Sequence, residues 1–131
     1  MAISELEQSE RMVVSILAAL AERGVLIKDL KLEELGYELT RDNVTIFVHA
    51  VRWLAEEGII RTNEQNAFLS SGNTALGFTV TSRGFALLSE RFEGDLTLGQ
   101  VIRRVNDDGQ GYAKVGNLLG GLLGSLTKSL S

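Results

Sequence analysis

The stretch Val44 to Ile60, VTIFVHAVRWLAEEGII, decides how the rest of the chain is understood. Val44, Phe47, Val48, Val51, Leu54 and Ala55 recur at the spacing that gathers apolar side chains on one face of a helix. Thr40 is a good N-cap and Gly58 a natural stop, so the pattern predicts a helix from Thr40 to Glu57. Arg41, Thr45, His49, Arg52 and Glu56 follow at intervals of four, four, three and four and form a polar ridge along it. Apolar residues also occur off the main stripe. Ile46, Ala50 and Trp53 make a second seam at i, i+4 and i+7, to be covered by the chain's own C-terminal region or by a second subunit.

Upstream, Ser4 and Glu7 form a capping box, and Leu6, Val13, Ile16, Leu17 and Leu20 carry a first helix to about Arg23, stopped by Gly24. Leu32 and Leu35 are spaced to touch one surface, which predicts a short second helix within Leu30 to Leu35, ended by Gly36. Downstream, Ile59 and Ile60 open a β stretch, Thr62 to Asn66 is too polar to bury, and Ser71-Gly72-Asn73 signals a turn. Phe78 and Val80 then alternate with Thr79 and Thr81, completing a hairpin. Thr81 or Ser82 caps a further helix with Phe85, Leu88 and Phe92, ending near Gly94, and a fifth helix starting near Thr97 uses Leu98, Val101, Ile102 and Val105. The expected class is mainly α with a small β-hairpin, an α+β fold.

That order, together with Val44 to Ile60 and with FTVTSRGFALL from Phe78 to Leu88, resembles the winged-helix variant of the helix-turn-helix fold. The resemblance covers residues 1–95 as a winged-helix domain and leaves 96–131 as a C-terminal helical extension, a packing or oligomerisation element. It implies that the helix over Thr40–Glu57 lies in the major groove of duplex DNA and that the hairpin touches backbone or minor groove. Arg41, Thr45, His49 and Arg52 are then the nucleic-acid contacts, in a homodimer whose symmetry matches paired half-sites. Acidic charge, a neutral wing and the extra seam Ile46, Ala50 and Trp53 favour an alternative, a winged-helix protein–protein interaction or assembly module without DNA binding. Arg61 to Asn73 holds one base and one acid, where a phosphate-clamping wing would present several cations, and Glu33 and Glu34 sit in the expected second helix.

Composition narrows the field further. A chain of 131 residues, 44% apolar and without cysteine or proline, is sized for one domain and has no disulfides or thiolate sites, consistent with a cytoplasmic protein. Residues 1–98 hold 9 bases and 15 acids and residues 99–131 hold 4 and 2, so an acidic body precedes a mildly basic tail. From Gly109 that tail has six glycines in 23 residues. Val115, Leu119, Leu122, Leu126 and Leu130 nevertheless repeat at four, three, four and four, an amphipathic pattern that asks for a surface to pack on. Leu119, Leu122 and Leu126 thus join Ile46, Ala50 and Trp53 as interaction residues. The tail docks within the subunit or across a dimer, meets a membrane interface, or orders on a partner. With only Lys114 and Lys128 as cations, peripheral membrane contact is the weaker choice. No stretch reaches the roughly 20 apolar residues of a transmembrane segment. One histidine, no phosphate-loop motif and no dinucleotide spacing point away from an enzyme and from any cofactor.

Overall fold

The computed structural model describes residues 5–108 together with Val115. Ser4, the expected cap of the first helix, lies outside them, as do Leu119, Leu122 and Leu126 of the tail. Among the described residues the fold is α+β, with four helices, a three-stranded antiparallel sheet and a two-stranded ribbon.

Helix α1 (Glu5–Arg23) is the central pillar. Every residue from Met12 to Ala18 is buried, and so is Leu20, a run longer than one helical face. It packs against the helix over residues 41–56 on one flank and the helix over 98–108 on another, and also touches the sheet. Ser15, the polar residue in this run, is satisfied: its hydroxyl donates to the Arg11 carbonyl at 2.9 Å and lies 3.1 Å from the Tyr37 hydroxyl.

Strand β1 (Lys28–Lys31) replaces the expected second helix. Leu30 and Leu32 are both fully buried, and this two-residue alternation prevails over the Leu32–Leu35 spacing because a neighbouring strand supplies the backbone partners. The Leu32–Leu35 pair marks a single turn instead, closed by the Leu35 and Gly36 amides donating to the Leu32 and Glu33 carbonyls at 3.2 and 3.0 Å. After α2 (Arg41–Glu56) come β2 (Ile60–Thr62) and β3 (Thr74–Val80). The hairpin is therefore part of a larger sheet of order β1-β3-β2, with β3 in the middle. Its pairs include Leu30 with Ala75 on one side of β3 and Ile60 with Val80 on the other. Gly77 breaks the regularity of β3 with a φ of +68°, and its amide donates to Asp29 Oδ1 at 2.9 Å.

Helix α3 (Ser82–Leu88) is shorter than expected: it ends before Arg91, where β4 (Arg91–Glu93) and β5 (Leu96–Thr97) form a ribbon around Gly94, which has a φ of +58°. Phe92 accordingly belongs to a strand. Helix α4 (Leu98–Asp108) starts where expected, under a reciprocal cap in which Thr97 N donates to Gln100 Oε1 and Gln100 N to Thr97 Oγ1. Leu98, Val101, Ile102 and Val105 are buried, so this helix completes the same core that α1 organises.

Gly84 fixes how closely α3 approaches the sheet. A methyl group there would stand 2.3 Å from the Ile59 carbonyl oxygen and 2.6 Å from Val80 Cγ1. Gly84→Ala should therefore destabilise the chain by about 3 kcal/mol, since backbone rather than a flexible side chain must move. Gly94→Ala, which meets nothing within 4 Å, should cost only about 1 kcal/mol of left-handed strain. Thermal unfolding of both variants checks this, and equal losses would contradict it.

Candidate functional site

The ridge of α2 is set by its start. Thr40 Oγ1 accepts from the Asn43 amide at 3.1 Å, and Asn43 Nδ2 donates to the Glu38 carbonyl at 3.0 Å, fixing the angle at which the chain enters the helix. Phe47, Ala50, Val51 and Leu54 then point into the core. This buried arc is rotated from the one expected: Ala50 lies inside it, whereas Ala55 is exposed. The rotation follows from α1, which lies along the flank carrying Ile46. Ile46 lines a cleft of about 330 Å³ with Arg11, Met12 and Tyr37. Ile46 and Trp53 are half-buried against the core. The second seam thus falls into three environments: one residue in the core, one facing α1, and Trp53 at the margin.

The opposite flank of α2 is covered by the loop 63–73 between β2 and β3. A methyl at Gly72 would stand 3.2 Å from Val44 Cγ1 and 3.5 Å from Val48 Cγ2, so the turn lies directly on those valines. Phe68 meets Phe47 edge-on, with centroids 6.5 Å apart and rings at 89°. Its own ring lies 5.5 Å from the Arg52 guanidinium carbon. The loop also pairs with β3, through a bridge from Phe68 to Ala75 and a hydrogen bond from the Leu69 amide to the Thr74 carbonyl at 3.1 Å. Sequence reading gave Gly72 its turn but missed that Phe68 and Gly72 lie against α2. The available signal was a lone aromatic in a polar loop beside a helix that already carried too many apolar residues.

Arg41, Thr45, His49 and Arg52 remain between these two covered flanks, and all four are exposed. The structure therefore brings the expected ridge together on one open face. Thr45 donates its hydroxyl proton to the Arg41 carbonyl at 2.9 Å, which leaves its oxygen lone pairs as the outward function. Asp42 and Glu56 are exposed on the same helix, so the two arginines are balanced by two carboxylates. Other cations of the body are in part paired. Lys28 and Lys31 each lie 3.9 Å from a Glu34 oxygen, and Arg61 on β2 is exposed. This surface can exchange hydrogen bonds and charge with a polar partner. Among the described residues no group of three or more histidine, cysteine, aspartate or glutamate side chains is placed to hold a metal, and no helix is long and apolar enough to cross a membrane. Comparison with family models, curated proteins and solved structures returned no match.

The Arg52–Phe68 contact ties ridge to loop at an exposed site, where such a pair is worth about 0.5 kcal/mol. A double-mutant cycle with Arg52→Ala and Phe68→Leu, read by denaturant unfolding, should return a coupling of about that size. A coupling indistinguishable from zero would mean that the guanidinium does not hold the loop.

Proposed function

We propose that this chain is a winged-helix module that binds duplex DNA as a homodimer, with α2 in the major groove and the β2–β3 ribbon against the backbone. The observation that carries this reading is the open ridge: α2 is covered on both flanks, and the strip left uncovered holds Arg41, Thr45, His49 and Arg52. Arginine reads guanine edges or phosphate, Thr45 offers its hydroxyl lone pairs to donors, and histidine serves either donors or acceptors. At about 1.5 Å per residue, α2 spans roughly 24 Å, ample for the few base pairs that a recognition helix touches. The sheet order β1-β3-β2 and the ribbon following directly on α2 support the same assignment. The segment from residue 96 onward then serves as the assembly element, with α4 as its ordered root on α1.

The balance of charge on the ridge favours a second use, docking of a polar protein surface without DNA. The two are separable by salt. With two arginines as phosphate contacts, a DNA-binding module should show a log–log salt slope near −2 per subunit, and Arg41→Ala or Arg52→Ala should each reduce it by about one. Fluorescence anisotropy with a mixed-sequence duplex measures both. Absence of binding at about 20 mM salt would leave the protein-docking role in place of the DNA one.

A further inference from the structure

The tip of the loop between β2 and β3 is polar and carries a single charge. From Thr62 to Asn73 there is no lysine or arginine, and Asn63, Gln65 and Asn66 are all exposed. Among the described residues the side-chain carboxamides of these three form no hydrogen bond. Thr62 serves the backbone of the tip instead: its hydroxyl donates to the Leu76 carbonyl at 2.8 Å and accepts from the Glu64 amide at 3.1 Å. Glu64, the one acid, is drawn aside. Gly77 of β3 has a φ of +68°, and a methyl group there would stand 3.3 Å from Glu64 Cγ and 3.7 Å from its Oε1, so the carboxylate lies against β3. The base of the loop is fixed, with the Leu76 amide donating to the Ala67 carbonyl at 2.6 Å and the Phe68 ring 5.5 Å from the Arg52 guanidinium carbon. What the tip offers outward is therefore a set of neutral carboxamides, of which Gln65 and Asn66 lie within about 11 Å of Phe68 along the chain.

We infer that Asn63, Gln65 and Asn66 read base edges in the minor groove and give the chain a preference for A·T pairs there, an inference that rests on the DNA reading of α2. With α2 in the major groove, the loop beside Arg52 stands at the bordering strand, and the tip beyond it meets the groove on that strand's other side. Phosphate presents acceptors alone and is best met by cations, which this loop lacks. The minor-groove edge of an A·T pair presents the adenine N3 and thymine O2 acceptors to carboxamide N–H donors, whereas a G·C pair puts the guanine amino group, itself a donor, in their way. Neutral contacts of this kind release no counterions, so they add sequence preference without adding to the salt slope. The carboxamides thus do for this loop what charge would do elsewhere, at short range only.

Inosine isolates the groove. An alternating inosine–cytosine duplex keeps the major-groove acceptors of the guanine–cytosine duplex and lacks only the amino group in the minor groove. By fluorescence anisotropy the full chain should bind the inosine duplex about tenfold more tightly. In the chain carrying Asn63→Ala, Gln65→Ala and Asn66→Ala, the two duplexes should bind alike, with the salt slope unchanged from the parent. Equal binding of both duplexes by the parent would overturn the inference while leaving the DNA reading of α2 intact. A preference that persists in the triple variant would overturn it too, since groove shape rather than the carboxamides would then be the cause. Binding of neither duplex at about 20 mM salt would remove the DNA reading and this inference with it. All three substitutions are at exposed positions. Should the triple variant nevertheless fail to fold, Gln65→Glu, which exchanges donors for a carboxylate of the same shape, should lower the inosine preference, and an unchanged preference would count against the idea.

Discussion

The burial of α1 on every side is the constraint on which the other elements depend. A helix whose residues 12 to 18 are all inside cannot rest on a single partner, since one sheet or helix covers only about a third of its circumference. It needs neighbours around it, and α2, α4, β1 and β3 are those neighbours. This explains why α4, which follows directly on the ribbon, belongs to the core. It also explains how a chain with few aromatic residues builds a continuous interior, by surrounding one aliphatic rod rather than by stacking two flat layers.

From that arrangement the open face of α2 follows geometrically. One flank of α2 is committed to α1, and the arc centred on Phe47 and Leu54 to the core. The loop 63–73 then closes the remaining apolar flank, with Gly72 allowing the turn to lie on Val44 and Val48 and Phe68 filling the angle between Phe47 and Arg52. A strip of polar residues is what remains. Its width is set by apolar coverage on either side. The ridge is therefore carried on a helix packed against the core, with its side chains exposed.

Much of this was legible in the chain. The caps at Thr40 and Thr81, the turn at Gly72, the alternation of Phe78 and Val80, and the α4 positions Leu98, Val101, Ile102 and Val105 all report local physics, which survives folding. The ridge was legible for the same reason, since side chains four apart on a helix share a face whatever surrounds it. What escaped depended on partners distant in sequence. Leu30 and Leu32 alternate over too few residues to outweigh Leu32 and Leu35 until β3 is present to pair with them. The core-facing arc of α2 was misplaced by the difference between Ala50 and Ala55, because alanine carries too little apolar surface to reveal which side α1 occupies. Phe92 fits helical spacing after Leu88, yet Gly94 serves a ribbon turn rather than a helix stop. The near-continuous apolar run from Met12 to Leu20 did hold the signal of a helix buried all round, since an amphipathic surface helix would interrupt it with charge.

Under the proposed function, charge makes affinity and assembly a single question. Helix α2 offers two exposed arginines against two exposed carboxylates, and the body around it is acidic, so one subunit gains little from counterion release and meets long-range repulsion from a polyanion. Binding by one module would then rest on short-range hydrogen bonds to base edges, each good bidentate pair contributing about 1–3 kcal/mol of discrimination but little non-specific attraction. Joining two modules changes this, because the second ridge meets DNA at the high effective concentration set by the first. Under that proposal a dimer would raise affinity as well as match symmetry, since a weakly charged ridge reads DNA better when two are held in fixed register. A segment that assembles the chain would govern the affinity of a surface it never touches.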